Sequence, residues 1–136
     1  MQFKRFAAVG ATVLAIAGAG LATAAPANAA AGCPSQAACL FYNSDFEGAI
    51  FSQTGGIANY DGYKFVTSAY PNGGSGAGQG VKNNAASVNN NNTSKSFRVY
   101  YNSNYGTSYA YQTFGAWTAG NLNSTMKNNN ASGRFI

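Results

Sequence analysis

The sequence has 136 residues, a formal net charge of +5 and no histidine. Its three carboxylates and two cysteines leave most general acid–base and nucleophilic mechanisms without their usual residues, so no enzyme activity is expected. The basic residues occur singly rather than in a run or a stripe, which does not indicate a nucleic-acid-binding surface.

The first 29 residues have the features of a secretory signal peptide. Lys4 and Arg5 precede an apolar stretch, and Ala27-Asn28-Ala29 supplies the small residues of a cleavage site. The alternative is an uncleaved membrane anchor, for which the stretch is rich in Ala and Gly and only weakly apolar. We therefore expect cleavage after Ala29, leaving a secreted, extracellular domain of residues 30–136 with no membrane attachment.

Both cysteines, Cys33 and Cys39, lie near the start of this domain. In an exported chain such a pair indicates a disulfide, and the further ligands that a metal site needs are missing. Because the loop between the cysteines is short, its contribution to stability is expected to be modest, about 2 kcal/mol.

Strand signals separated by turn residues recur along the domain, which indicates an all-β fold. One hairpin is predicted from residues 38–42 and 49–51, and a second from residues 97–101 and 108–112. No segment has a persuasive helical period, and only a short helical turn is expected, near residues 122–126.

Two polar segments are predicted to connect these strands. Residues 71–80 are rich in glycine and predict a flexible loop, and residues 89–92 predict a polar connector between the two halves. The core is expected to combine the many Tyr and Phe side chains with Trp117, Ile50, Val81, Val88 and Val99. With so much tyrosine, some hydroxyl groups must find polar partners.

Two blocks of sequence occur twice, in the same order. Residues 82–87 return as residues 127–132 with five of six positions identical, and an aromatic-bracketed Tyr-Asn-Ser block at 41–46 returns at 100–105. Repeats of this kind predict two units of similar structure within one domain, related by a local twofold axis.

Phe41, Phe46 and Gly48 have a spacing that resembles the opening of a βγ-crystallin Greek key motif. In that motif two aromatic rings pack over a folded hairpin whose glycine adopts a positive φ. The resemblance implies a monomeric βγ-crystallin-like sandwich of two Greek key motifs, about residues 33–90 and 96–136.

The repeated closing blocks resemble the calcium signature of the same family. The candidate ligands are all neutral: Asn83, Asn84, Ser87, Asn128, Asn129 and Ser132. Calcium takes oxygen ligands, and its affinity falls as their charge is removed, so the resemblance implies weak calcium binding and no required cofactor. The alternative is that both serines hydrogen-bond the hairpin backbone while asparagine sets the turn.

The second half departs from the family pattern in its hairpin. Gly106 comes one position early and Thr107 takes the expected site of glycine, so this hairpin is expected to bend differently. Both closing blocks depart at their last position, where Val88 and Gly133 replace the usual serine.

Residues 33–48 read Cys-Pro-Ser-x-x-x-Cys-Leu-Phe-Tyr-Asn-Ser-x-Phe-x-Gly and are similar to secreted actinobacterial proteins of peptidase inhibitor family 36, the family of the Streptomyces metalloproteinase inhibitor. The resemblance covers essentially all of the domain and implies a secreted inhibitor whose partner is an extracellular metalloprotease. Residues 55–63 and 68–80 are the candidate inhibitory loops, although glycine argues against rigidity in the longer one. The candidate contact residues are Tyr60, Tyr63, Tyr70, Pro71 and Asn72. The alternative is that both loops are ordinary solvated connections.

A third class of function is a cell-wall or glycan-binding module. Exposed aromatic side chains can stack on sugar rings, and the second half is dense in them: Tyr101, Tyr105, Tyr109, Tyr111 and Trp117. We expect these side chains to serve core and hairpin packing instead. An antimicrobial role is a further alternative, since a relative of the crystallin fold has been described as killer-toxin-like.

Overall fold

The computed structural model describes residues 30–136, so the predicted signal peptide lies outside the described residues. This part of the chain forms two antiparallel sheets, with strand orders β2-β1-β3-β6 and β5-β4-β7. The strands are β1 (Ala38–Phe41), β2 (Ile50–Gln53), β3 (Ser87–Asn90), β4 (Phe97–Tyr100), β5 (Tyr111–Phe114), β6 (Thr118–Asn121) and β7 (Ser132–Phe135). Within residues 30–136, no helix has the length and apolar composition needed to cross a bilayer.

The first predicted hairpin is confirmed as β1 and β2, which pair antiparallel with Phe41 opposite Ile50. All four residues of β1 are buried because both of its faces are covered. Leu40 points into the core between the sheets, whereas Cys39 and Phe41 lie in a second apolar cluster on the other face. A continuous apolar run is typical of a strand that is covered on both sides.

The second hairpin begins where predicted, but its return strand starts three residues later than expected, at Tyr111. The turn is longer than the sequence suggested: it spans residues 101–110 and includes a 3₁₀ turn (Ser103–Tyr105). The Tyr101 N–H donates to the carbonyl of Ala110 at 2.9 Å, and the rings of Tyr101 and Tyr109 lie 4.6 Å apart. These contacts keep residues 108–110 in the turn.

The predicted polar connector at residues 89–92 is wrong in its first half. Asn89 and Asn90 end β3, and Asn90 is fully buried. Its amide Nδ2 lies within 2.9–3.1 Å of three backbone carbonyls, those of Lys95, Phe114 and Gly115. A buried amide needs such partners, and here they tie β3 to the segments around β4 and β5.

Each half of the chain gives one segment to the sheet of the other half. β6, from the second half, pairs with β3, with Val88 opposite Gly120. In the reverse direction, Ile57 of the first half forms an antiparallel bridge with Gly133 of β7. The two exchanges occur at equivalent positions, because Val88 and Gly133 each follow the last serine of a repeated closing block.

The core between the sheets contains Val81, Val88 and Val99 as expected, and Ile50 is buried in the second cluster. Trp117 is not part of either cluster, which corrects the expectation: its side chain is 66% exposed. Trp117 lies in the turn between β5 and β6, where it has a φ of 58° and its backbone N–H donates to the Asn92 carbonyl at 2.8 Å.

The expected helical turn is present as a single turn. The Lys127 N–H donates to the Asn123 carbonyl at 2.8 Å, and the Asn123 side-chain oxygen accepts from the N–H groups of Thr125 and Met126. Asparagine before a turn satisfies free N–H groups in this way.

Candidate functional site

The first repeated hairpin is held by one serine of its closing block. The Ser87 hydroxyl donates to the Asn43 carbonyl at 2.7 Å and accepts from the Phe46 N–H at 3.1 Å. Phe46 adopts a φ of 60°, and its ring packs edge-on against Phe41 at 5.9 Å. The hydroxyl therefore supports a folded, left-handed turn and the aromatic corner above it.

The second hairpin repeats the arrangement. The Ser132 hydroxyl donates to the Asn102 carbonyl at 2.6 Å and accepts from the Tyr105 N–H at 3.1 Å. Tyr105 adopts a φ of 57°, and its ring lies 5.8 Å from that of Tyr100. Both serines thus bond to the hairpin backbone, as the alternative interpretation of the closing blocks expected.

The two hairpins differ at the glycine, as predicted. Gly48 adopts a φ of 81°, and a Cβ there would lie 2.8 Å from the Asn43 amide nitrogen. Gly106 has a φ of −65°, and Thr107 is not among the residues with positive φ. Only the first hairpin therefore requires glycine at this bend.

The asparagines of the two closing blocks mostly bond to backbone. Asn84 Nδ2 donates to the Gly80 carbonyl at 2.8 Å, and Asn129 Nδ2 donates to that of Thr125 at 2.9 Å. Asn130, which is not among the predicted ligands, is the buried member: its Nδ2 donates to the Val81 carbonyl at 2.8 Å, and its Oδ1 accepts from the Ala85 N–H at 2.9 Å. Its place at a variable position of the repeat gave no signal of this role.

Candidate calcium ligands from both halves line one cleft of about 300 Å³, where Asn84 and Asn128 come together beside Tyr42 and Ser44. The ammonium group of Lys127 also lines the cleft and donates to the Ser44 hydroxyl at 2.9 Å. Within residues 30–136, no three His, Cys, Asp or Glu side chains group as a metal site would require. A tight calcium site does not fit neutral ligands beside a fixed positive charge, and these residues fit a weak site at most.

The replacement of serine by Gly133 in the second closing block has a steric cause. A Cβ at this position would overlap the Tyr60 hydroxyl and lie 2.8 Å from Cζ of Phe97. No larger residue fits there without moving core side chains.

The loop of residues 68–80 is bound to the first hairpin rather than free, which corrects the prediction of a flexible segment. Gly48 N–H donates to the Pro71 carbonyl and Ala49 N–H to the Ser75 carbonyl, both at 2.8 Å. The Asn72 amide donates to a carboxylate oxygen of Glu47 at 2.6 Å. Pairing with the hairpin therefore holds the loop in one conformation.

Two glycines of this loop allow close packing. At Gly76, which has a φ of 85°, a Cβ would overlap the ring of Tyr42, and at Gly73 it would overlap the Ser68 carbonyl. The sequence suggested mobility because glycine frees an isolated chain, whereas here the missing side chains let the loop touch its neighbours.

The candidate contact residues of this loop have different surroundings. Tyr70 is partly buried and packs edge-on against Phe41 at 4.8 Å. Pro71 and Asn72 follow it and are exposed. Tyr70 therefore anchors the loop, and the next two residues form its exposed tip.

The second candidate loop contains one exposed tyrosine and one buried one. Tyr63 is 43% exposed and packs against Phe51 at 5.4 Å, beside a cleft of about 330 Å³. Tyr60 is completely buried, which corrects its assignment as a protease contact, and its hydroxyl donates to Gln53 Oε1 at 2.6 Å. Burial, and secondarily Tyr105, raises the pKa of Tyr60 well above 10.0.

The disulfide predicted between Cys33 and Cys39 is present, with their Cα atoms 5.9 Å apart. It joins the start of the domain to β1 and closes the outer apolar cluster around Phe41. The N-terminal segment also contacts the residue before the loop of residues 68–80, since the Ala31 N–H donates to the Thr67 carbonyl at 3.0 Å.

The aromatic residues of the second half are more exposed than expected. Tyr109 is 64% and Tyr111 is 46% exposed, in addition to Trp117. Tyr100 is buried, and Tyr101 and Tyr105 are partly buried. Tyr109 and Tyr111 nevertheless pack within the second hairpin, at 4.6 Å from Tyr101 and 6.1 Å from Tyr100. Among the five aromatic residues named, the expectation of core and hairpin packing is therefore wrong for Trp117.

The model of "Peptidase inhibitor family I36" matches residues 26–112. The match contains the disulfide, the first hairpin and both candidate loops, and it ends within β5. The match is shorter than expected, because the resemblance was expected to cover essentially all of the domain and the second closing block lies beyond residue 112. No curated protein matches the chain.

Solved structures of βγ-crystallin type resemble the chain. One comes from work on the evolution of the eye-lens βγ-crystallin domain fold: TM-score 0.58, 11% identity, covering 78% of this chain and 91% of that one. Another is a βγ-crystallin from an archaeon: TM-score 0.51, 17% identity, covering 76% of this chain and all of that one. At these identities the likeness shows the fold alone, a βγ-crystallin-like sandwich of Greek key type.

Proposed function

Because this chain belongs to peptidase inhibitor family I36, we propose that it is a secreted inhibitor of an extracellular metalloprotease and contacts the enzyme through residues 68–80. The family match contains the whole of this loop. The observation that most directly supports this loop as the contact with the enzyme is its pairing with the first hairpin through Gly48 and Ala49.

A member of this family with this fold is an inhibitor and not an enzyme. The family and the disulfide also indicate an extracellular protein, since disulfides persist in oxidising compartments. A peptidase is therefore the expected partner.

A loop that is ordered before binding loses less entropy when it docks. Each side chain that must be immobilised costs about 0.5–1.5 kcal/mol on association. Here the Asn72 side chain already bonds to Glu47, and Tyr70 is already packed on Phe41. The tip at Pro71 and Asn72 is thus offered to an enzyme cleft in a conformation set in advance.

The first test titrates the purified protein against three secreted endopeptidases: a thermolysin-like zinc enzyme, a subtilisin-like enzyme and a trypsin-like enzyme. We expect inhibition of the zinc enzyme at micromolar protein or below, without cleavage of the inhibitor. Inhibition of a serine peptidase alone would contradict the metalloprotease assignment while leaving the family assignment unaffected.

A matched pair of glycine substitutions identifies the contact loop. At Gly74 and at Gly55 a Cβ would meet no atom within 4 Å, and neither glycine has a positive φ, so each tolerates a large side chain. Gly74→Trp should weaken inhibition by about tenfold or more through a steric clash with the enzyme, whereas Gly55→Trp should change it less than about twofold. The reverse result would assign the contact to the loop at residues 55–63.

Weak calcium binding is the second candidate, favoured by the convergence of Asn84 and Asn128 in one cleft. Without a carboxylate ligand its affinity should be millimolar or weaker. A melting temperature that rises with millimolar calcium, combined with no inhibition of any of the three peptidases, would favour this function over the first.

A further inference from the structure

The outer face of the β5-β4-β7 sheet has two arginines on adjacent strands. Arg98 of β4 and Arg134 of β7 are directly opposed in the antiparallel register. Phe97 and Val99, the neighbours of Arg98, lie in the core, so alternation along β4 directs Arg98 outward. Directly opposed side chains of this kind have Cβ atoms about 5 Å apart, and like charges in such a pair destabilise a sheet.

Hydroxyl groups and aromatic rings, not carboxylates, are the partners of these guanidinium groups. Arg98 Nε donates to the Thr113 hydroxyl at 2.9 Å, and its guanidinium lies 4.4 Å from the ring centre of Tyr111. Arg134 Nε donates to the Tyr100 hydroxyl at 3.1 Å, and its guanidinium lies 4.8 Å from the ring centre of Tyr105. The positive charge on this face is therefore not neutralised by these contacts.

The acidic side chains of the first hairpin are engaged elsewhere. Asp45 accepts from the Asn121 amide at 2.9 Å, and Glu47 accepts from the Asn72 amide at 2.6 Å. With three carboxylates in the whole sequence, the chain has few groups that could compensate the pair.

The contacts of Nε leave the terminal N–H groups of both guanidinium groups for a ligand. A guanidinium has five N–H donors in a planar fork, and the contacts above use one of them on each arginine. Stacking on Tyr111 and Tyr105 orients both forks before a ligand arrives. An anion placed between them would form charge-assisted hydrogen bonds and relieve the repulsion.

We propose that this face, formed by Arg98, Arg134, Tyr105 and Tyr111, binds a phosphate group carried by a glycan. A phosphate offers enough oxygens for two guanidinium forks, whereas a single fork already satisfies a carboxylate. Tyr111 remains 46% exposed although the Arg98 guanidinium stacks on its ring, and the exposed part offers an aromatic surface of the kind on which sugar rings stack. A nucleic acid would need a longer basic track than two arginines on a chain whose other basic residues are scattered.

The test measures binding of a glycosylated poly(glycerol phosphate) polymer to the protein at low salt, by titration calorimetry. The double variant Arg98→Gln/Arg134→Gln should bind about tenfold more weakly or worse. The control Lys64→Gln/Lys82→Gln removes the same charge from outside this face and should change the affinity less than about threefold. Equal losses in the two double variants, or no binding by the unchanged protein, would overturn the proposal.

A second variant separates charge from geometry. Arg98→Lys/Arg134→Lys keeps the charge but loses the fork, so its affinity should fall between those of the unchanged protein and the glutamine variant. Full retention of affinity in the lysine variant would overturn the role of the paired forks. Melting curves of all variants establish that they remain folded.

Three further polymers test the chemistry of the ligand. Polygalacturonate supplies carboxylates, single-stranded DNA supplies phosphates without a glycan, and chitin oligomers supply sugar rings without charge. The phosphate-bearing glycan should bind most tightly, and equal or tighter binding of any of the three would overturn its assignment. The arginine variants should inhibit the peptidase as well as the unchanged protein, so this proposal and the proposed function fail independently.

Discussion

At the residue scale, Tyr60 connects the two sheets through one buried hydroxyl. The hydroxyl donates to Gln53 Oε1, and Gln53 Nε2 in turn donates to the carbonyls of Gly55 at 2.7 Å and Gly133 at 3.1 Å. Gly133 must lack a side chain because the Tyr60 hydroxyl occupies that space. A residue that appeared to belong to a surface loop is therefore a core residue whose polar atom requires a buried partner.

Tyr60→Phe should destabilise the protein by about 1–3 kcal/mol at neutral pH, because Gln53 Oε1 loses its donor. The dependence of the free energy of unfolding on pH should also change at alkaline pH. Burial holds the pKa of Tyr60 above the usual 10.0, so the folded state retains a proton that the unfolded state releases. The stability associated with the protonated Tyr60 hydroxyl is fully present below about pH 10 and is lost as the pH rises further.

Denaturant unfolding from pH 7 to pH 11 measures both effects. The variant should lose less stability between pH 9 and pH 11 than the unchanged protein does. Tyr109→Phe, at an exposed position, is the matched control and should leave both the neutral stability and the alkaline slope as they are. An alkaline slope in Tyr60→Phe equal to that of the unchanged protein would contradict the assignment.

At the scale of elements, each hairpin depends on one serine that lies about 30–45 residues later in the chain. Ser87 bonds to the carbonyl of Asn43 and the N–H of Phe46, and Ser132 bonds to the equivalent groups of Asn102 and Tyr105. The sequence repeats are explained by this bonding, because a left-handed turn buries backbone groups that need partners. Because both repeats contain this serine, both hairpins form the same kind of turn.

Ser87→Ala and Ser132→Ala should each lower the free energy of unfolding by about 1–3 kcal/mol, since each removes a donor to a carbonyl and an acceptor of an N–H. The two sites share no hydrogen-bond partner, so the losses should add in the double variant to within about 0.5 kcal/mol. Ser124→Ala, at an exposed position of the turn before β7, is the control and should be neutral. A large loss at one serine with none at the other would contradict their equivalence.

At the scale of the whole molecule, the two halves complete each other. β6 is the outer strand of the first sheet although it comes from the second half, and Ile57 bridges to β7 in the opposite direction. The first half therefore lacks one strand of its own sheet, and the second half lacks the bridge that Ile57 makes to β7. Each half alone would also expose the core face that the other half covers.

Separate fragments of residues 30–94 and 95–136 should be unfolded on their own, with little chemical-shift dispersion in two-dimensional NMR spectra. An equimolar mixture should recover dispersed signals, because the exchanged segments find their sheets again. The control is cleavage of one peptide bond at exposed Gly74, with both pieces kept together in solution, which should leave the fold in place. A dispersed spectrum from either isolated fragment would show that the halves fold independently.

Much of this fold could be predicted from the sequence, where the controlling interactions are local or repeated. The β1–β2 hairpin follows from an apolar run, a turn and a second apolar run, and the disulfide follows from two cysteines in an exported domain. The positive φ at Gly48 and the different bend at Gly106 also follow from residue type at a given spacing. Each of these features depends on neighbours within about ten residues.

The candidate site was harder to predict, because burial and partners depend on distant residues. Tyr60 and Tyr63 are three positions apart, yet Tyr60 is completely buried, whereas Tyr63 is exposed and packs against Phe51. The glycine-rich loop suggested mobility, and only contact with the first hairpin shows that it is held. Opposed Arg98 and Arg134 are 36 positions apart in the sequence, and only the strand register brings them together.

Repetition, residue type and local spacing by themselves determined that this chain makes two aromatic-cornered β units joined in one domain with a disulfide. The tertiary structure alone decided which segments cross between the sheets, which tyrosines are buried and where unneutralised positive charge collects. The physical reason is the range of the interactions: turn geometry and strand pattern are encoded within a few residues, whereas burial and pairing depend on which surfaces meet after the chain has folded.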